Sequence, residues 1–130
     1  MSTKIPFFLT PVAAGFPSPA EDYMERALDL NELMVTHPAA TFFVRVRGDS
    51  MKGAGIFSGD ILVVDRAFEP KDGHIVVAVL NGEFTVKRIL KKGKTCFLAP
   101  ENPSFSPIEV KEEMECQIWG VVTYVIHKTK

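Results

Sequence analysis

The chain has 130 residues, 46% of them hydrophobic and 24% charged, and its 15 basic side chains nearly balance 16 acidic ones for a formal net charge of −1. This length favours one packed domain, and this composition favours a soluble globular fold over disorder. The charge balance gives no long-range pull on nucleic acid or anionic lipid, so neither direct DNA binding nor a membrane role is expected.

At the N-terminus, Lys4, the apolar run 5–9 and Val12-Ala13-Ala14 before Gly15 have the outline of a secretory signal. A working apolar region needs about 7–15 residues. Here Pro6 interrupts it and Pro11 closes it, so the segment is not a signal peptide, and the small residues at 13–15 need another explanation. Pro6, Pro11, Pro17 and Gly15 also exclude a helix or a central strand over residues 1–18, which leaves an extended, mobile arm. Ser18-Pro19-Ala20-Glu21 has the form of a capping box and predicts a helical turn. Asp29-Leu30-Asn31-Glu32 repeats that logic ahead of a short helix over 30–35, which Pro38 keeps from extending. The expected organisation is an arm over 1–28 and a domain over 29–130.

From Thr41 onward the chain reads as β structure, with strands expected at 41–47, 61–65, 74–80, 83–90, 95–99, 108–110 and 117–127. Asn81-Gly82 between two such runs signals a tight hairpin with both turn residues at positive φ. Lys91-Lys92-Gly93-Lys94 reads as a solvated turn, and the proline- and asparagine-rich stretch 100–107 as an irregular loop. The fold class is mainly β: a compact, curved antiparallel domain with a flexible N-terminal arm and one or two short helices. The C-terminal run holds Ile118, Trp119, Val121, Val122, Tyr124, Val125 and Ile126, more apolar positions than one sheet face buries, so a homodimer is expected.

Cys96 and Cys116 lack a CxxC spacing, and His37, His74 and His127 lie far apart with no ligand pattern, so neither a metal site nor a cofactor is expected. Two reduced thiols in a cytoplasmic protein are the expected state.

The stretch that carries chemistry is Phe42 to Met51. Phe42, Val44 and Val46 alternate with Phe43, Arg45 and Arg47 and run into a Gly48-Asp49 turn that presents Ser50 ahead of an apolar Met51. A serine on a turn at a strand end has a fixed backbone and an exposed hydroxyl, which suits a nucleophile. The Asn81-Gly82 register places Lys87 opposite Val76, on a face with Thr85, Ile89 and Ala78. Desolvation there lowers a lysine's pKa, which is what a general base requires, and a neutral amine within hydrogen-bond reach of Ser50 could take its proton. The plain alternatives are a solvated polar turn and a strand lysine that reaches out to solvent. A rival catalytic arrangement uses Ser50, His74 and Asp72, but leaves Lys87 on an apolar face unexplained.

Gly48-Asp49-Ser50-Met51, Ser58 to Asp65, Asp72 to Val76 and Asn81 to Lys87 occur in an order that resembles the LexA-like self-cleaving serine peptidases, most closely their UmuD branch. The resemblance takes in Gly15 to Ala20, His37-Pro38, Pro107-Ile108 and Trp119 to Val122, and covers about residues 12 to 127. It implies the LexA and signal-peptidase type of β domain, a Ser50–Lys87 dyad, and self-cleavage of the arm at Ala14-Gly15. The small residues left over above fit that role, although the UmuD branch commonly has cysteine where Ala14 stands. The backbone N–H groups of Asp49 and Ser50 are the expected oxyanion donors. The implied role is in the SOS response: a RecA filament on single-stranded DNA stimulates cleavage, and the trimmed homodimer serves a UmuC-type Y-family DNA polymerase in translesion synthesis. About forty residues precede the first strand of the β domain, too few for a repressor's helix-turn-helix region as well as the arm, so an accessory protein is expected. The alternative is a non-catalytic dimeric binding module of the same fold that regulates a polymerase.

Overall fold

The alternating pattern that begins at Thr41 folds into one seven-stranded antiparallel sheet. The structure, a computed structural model, describes residues 5–8, 14–15 and 24–130. The chain divides into two units, Met1–Thr36 and His37–Lys130, where the sequence reading put its boundary after residue 28.

In the first unit β1 (Ile5–Phe8) pairs with β2 (Met24–Leu28) as an antiparallel two-stranded ribbon, with Pro6 opposite Ala27. Proline is tolerated because such a ribbon has only edges. Strand β2 departs from the sequence reading: Glu and Ala are poor strand formers, and the extended shape comes from pairing with β1. The helical turn expected at Ser18–Glu21 lies outside the described residues. Helix α1 (Leu30–Met34) starts where the Asp29 carboxylate accepts the Asn31 N–H at 2.9 Å, and it ends one residue before the expected Val35.

In the second unit, β3 (Thr41–Arg45), β4 (Ile61–Asp65), β5 (Ile75–Leu80), β6 (Glu83–Lys92), β7 (Thr95–Ala99), β8 (Ile108–Val110) and β9 (Cys116–Ile126) lie in the order β3-β4-β9-β5-β6-β7-β8. The hairpin register is the one read from the sequence: Val76 faces Lys87 and Ala78 faces Thr85, with Asn81 at φ 50° and Gly82 at φ 84°. Strand ends differ where a side group or turn takes over the ladder. β3 stops at Arg45 rather than Arg47, because the Val46 N–H donates to Asp60 O and its carbonyl accepts from Gly59 N–H in a turn. β5 begins at Ile75 because His74 belongs to a turn closed on Lys71. β6 runs two residues past Leu90 into the lysine-rich hairpin, whose Gly93 sits at φ 61°.

Both faces of the sheet are covered. Val46, Met51, Ile56, Leu62, Val64 and Val77 form one buried cluster. Val76, Ala78, Ile89, Leu98 and Val121 form a second. Alternate residues of β5 thus enter different clusters, which is how a continuous apolar run is buried from both sides. The same holds for β9, so much of its apolar run is internal: Val121 is buried and Trp119 packs on the first cluster, while Tyr124, Val125 and Ile126 remain exposed. Register shifts between Val63 and Val64 and between Val77 and Ala78 increase the local twist and help the sheet curl.

Two buried carboxylates fix the ends of β4. Asp60 accepts the Phe57 N–H at 2.8 Å and pairs with His127 at 2.6 Å; the amide, opposed by burial and aided by the histidine, holds its carboxyl below the usual range. Burial pushes Asp65 up, but His37 at 2.7 Å and the Ala67 N–H at 2.8 Å outweigh it and leave that carboxyl lowered as well. Between them, Gly120 of β9 lets β4 approach closely. A Cβ there would come within 2.7 Å of Val64 Cγ1 and 3.1 Å of the Asp65 carbonyl. Gly120→Ala is expected to destabilise the domain by about 1–3 kcal/mol, read from the urea midpoint. An unchanged midpoint would show that β9 moves away from β4 without cost.

Candidate active site

Where β3 leaves the sheet, Gly48 takes φ 99°, a conformation that costs other residues strain, and its N–H donates to Ser58 Oγ at 3.2 Å. The Lys52 N–H donates to Asp49 O at 3.1 Å and closes the turn that carries Ser50. The next side chain, Met51, is 2% exposed and plugs the first core cluster, so the serine backbone is anchored on its C-terminal side by packing. A 3₁₀ turn over Lys52–Ala54 follows and ends at Gly55.

A second clamp was not legible in the sequence. The Glu101 N–H donates to Ser50 O at 2.8 Å, the Gly53 N–H donates to Glu101 O at 2.6 Å, and Asn102 Nδ2 donates to Asp49 O at 2.9 Å. The stretch expected to be an irregular loop is therefore bonded along its start to the serine turn. Gly53 is required for this approach, because a Cβ would meet Glu101 O at 2.5 Å. Residues of an irregular loop carry no periodicity, so the only available signal was the glycine pair Gly53 and Gly55 after the serine.

Lys87 reaches this turn from β6. Its Nζ lies 3.0 Å from Ser50 Oγ, 2.9 Å from Thr85 Oγ1 and 3.1 Å from the Val86 carbonyl. A neutral amine has two N–H groups and one lone pair. Donation to Thr85 and Val86 uses both N–H groups and leaves the lone pair for the Ser50 hydroxyl. Burial lowers the Lys87 pKa, the direction that populates this neutral form. The pair opens on a cleft of about 230 Å³ lined by Val44, Val46, Met51, Val77, Phe84 and Val86. Ligand pockets usually span ~300–1,000 Å³, so this space suits a short stretch of chain with small side chains better than a bulky ligand.

The structure thus brings Ser50 and Lys87 together. Among the described residues the N–H groups of Asp49 and Ser50 donate no hydrogen bond. Ala14 and Gly15 form an exposed bend in the first unit. The rival arrangement is not assembled. His74 Nδ1 accepts the Lys71 N–H at 3.1 Å, Asp72 accepts the Lys91 N–H at 2.7 Å, and neither lines the cleft. Among the described residues there is no cluster of His, Cys, Asp and Glu able to hold a metal ion. No helix among the described residues is long and apolar enough to cross a membrane. Cys96 and Cys116 are free thiols packed on the second cluster, and burial, then Cys96, pushes the Cys116 thiol up.

A profile of the family described as Peptidase S24-like matches residues 6–123. The chain is 54% identical to Protein SamA of Salmonella typhimurium over 130 residues, all of this chain and 90% of that protein. It is 50% identical to Protein ImpA of Escherichia coli over 125 residues, 96% of this chain and 85% of that one. It is also 44% identical over 118 residues to LexA repressor 1 of Pseudomonas putida, which covers 90% of this chain and 58% of the repressor.

The Lys87 environment makes a direct prediction. Titrated by NMR of its Nζ or Cε resonance, Lys87 should show a midpoint below the ~10.4 of a solvated lysine. A midpoint at or above that value would mean that the amine is solvated in solution.

Proposed function

The chain belongs to the S24-like peptidase family, and we propose that it is a self-cleaving serine endopeptidase that cuts its own arm between Ala14 and Gly15. The observation that carries this reading is the 3.0 Å contact between a half-buried Lys87 Nζ and Ser50 Oγ. Neutral Lys87 takes the Ser50 proton as Oγ attacks the Ala14 carbonyl carbon. The Asp49 and Ser50 N–H groups receive the oxyanion of the tetrahedral intermediate. Protonated Lys87 then gives its proton to the Gly15 nitrogen, the Ala14–Gly15 bond breaks, and Ala14 remains as an ester on Ser50. Water, deprotonated by the same amine, hydrolyses that ester and restores the hydroxyl. Alanine and glycine suit the bond that is cut, since neither side chain obstructs a narrow cleft.

The same reading places the protein in the bacterial cytoplasm, in the SOS response to DNA damage. A RecA filament on single-stranded DNA stimulates the cleavage, and the trimmed form, residues 15 to 130, is a homodimer and the accessory subunit of a UmuC-type Y-family polymerase in translesion synthesis. Support comes from the resemblance to the UmuD branch over nearly the whole chain and from the near-complete coverage of SamA and ImpA. For the dimer, the relevant surface is the end of β9, where Tyr124, Val125 and Ile126 are 39%, 38% and 40% exposed. Exposed apolar side chains at a strand end are available for an interface.

Two measurements test this reading. Spontaneous cleavage of the full chain should speed up as pH rises above neutral, because only neutral Lys87 accepts a proton, and should level off once pH passes the lowered Lys87 pKa. A histidine base would instead level off near ~6.5. Ser50→Ala and Lys87→Ala should stay folded and uncut, Lys87→Arg should also fail because arginine stays charged, and His74→Ala should cut normally. A new N-terminus other than Gly15 by mass spectrometry, or cutting by Lys87→Ala, would remove the proposed chemistry. Sedimentation at micromolar concentration should show a dimer that Ile126→Glu weakens, and a wild-type monomer would refute that part.

A further inference from the structure

Strands β3 and β6 are not neighbours in the sheet, so no direct pairing of these two strands sets the distance between Ser50 and Lys87. The residue after Lys87 supplies a direct tie. Arg88 Nε donates to the Glu101 carboxylate, and Arg88 Nη1 donates to the Gly73 carbonyl. Glu101 in turn holds the serine turn through its backbone: its N–H reaches Ser50 O and its carbonyl receives the Gly53 N–H. One residue therefore touches the lysine strand through its side chain and the serine turn through its main chain.

We propose that the Arg88–Glu101 ion pair is a positioning strut that holds the Ser50 turn at its working distance from Lys87. This rests on the assignment of Ser50 and Lys87 as the reacting pair. The strut acts through geometry. Both side chains are about one-third exposed, 30% for Arg88 and 36% for Glu101, and ion pairs at that exposure contribute little to stability. What the pair fixes is a direction. Arginine presents two donors from one rigid plane, so a single side chain bonds the Glu101 carboxylate and the Gly73 carbonyl together. Gly73 precedes β5, and its N–H donates to Ile89 O, so the guanidinium is braced on the hairpin that carries Lys87.

The test uses spontaneous alkaline cleavage of the full chain. Arg88→Gln and Glu101→Gln should each lower the plateau rate by about 10- to 100-fold, the effect of a small misplacement of a reacting group. The pH midpoint of the rate should stay where wild type has it, and the urea midpoint should stay close to wild type. The double variant should be no slower than the slower single variant, because one strut is lost once. Arg88→Lys, which keeps the charge but not the two-donor plane, should fall between wild type and Arg88→Gln. Wild-type plateau rates in both single variants overturn the strut, as do losses that multiply in the double variant. So do losses that follow a fall in the urea midpoint, and a shifted pH midpoint with an unchanged plateau, which makes the pair an electrostatic influence on Lys87. With Ser50→Ala as the companion variant, the failures separate: if it stays uncut, these outcomes remove the strut alone, and if it still cuts, the reacting pair itself falls.

Discussion

The contact between Ser50 and Lys87 joins parts of the sheet that strand pairing would keep apart. Between β3 and β6 lie β4, β9 and β5, and at the usual strand spacing of ~4.8 Å a flat sheet would separate the two by about 19 Å. The contact therefore depends on the sheet curling, and the curl depends on what fills its hollow. Met51 follows the serine directly and shares one cluster with Val77 of β5, with Val86 of β6 packed against it. Burying Met51 and closing the sheet around it are the same event. The hydrophobic effect that stabilises the domain also brings the hydroxyl to the amine.

A lysine placed among apolar neighbours raises a second constraint, which is electrostatic. A carboxylate near the amine would favour its charged form and undo the effect of burial. Among the described residues Lys87 makes no ion pair, and its three polar neighbours are two hydroxyls and a carbonyl. The nearby acid Glu101 is committed to Arg88. Asp60 and Asp65, the buried acids at the two ends of β4, are each satisfied by a backbone N–H and a histidine. Glu101, Asp60 and Asp65 are thus committed to other partners, and the hydrogen-bond partners of the amine are all neutral.

How much of this was legible in the sequence follows from the range of each interaction. The Asn81-Gly82 turn is local, and it fixed the hairpin register residue by residue, which placed Lys87 against Val76 and beside Thr85. The Asp29 cap is local too and was readable for the same reason. Strand β2 was missed because its extended shape is imposed by β1, against the propensity of its own residues. The C-terminal run was read as having one buried face, since alternation along one strand cannot reveal that a curled sheet has a core on each side. The clamp of Glu101, Asn102 and Gly53 on the serine turn was out of reach. It consists mainly of backbone hydrogen bonds between two loops distant in sequence, and side-chain identity says little about those.

These constraints bear on where control of the proposed reaction resides. Burial lowers the Lys87 pKa without a second protein, and the clamp holds the serine turn by bonds internal to the domain. On the proposed reading the reacting pair is ready before any stimulus, so the variable step is the delivery of the bond to be cut. A stimulus that acts on delivery raises the rate at every pH by a similar factor, because it leaves the lysine's titration untouched. A stimulus that remade the reacting pair would move the pH midpoint instead. On that reading the energetic demand falls on bringing the Ala14–Gly15 bond to a pre-organised site. That demand is consistent with a cut bond flanked by the two smallest side chains.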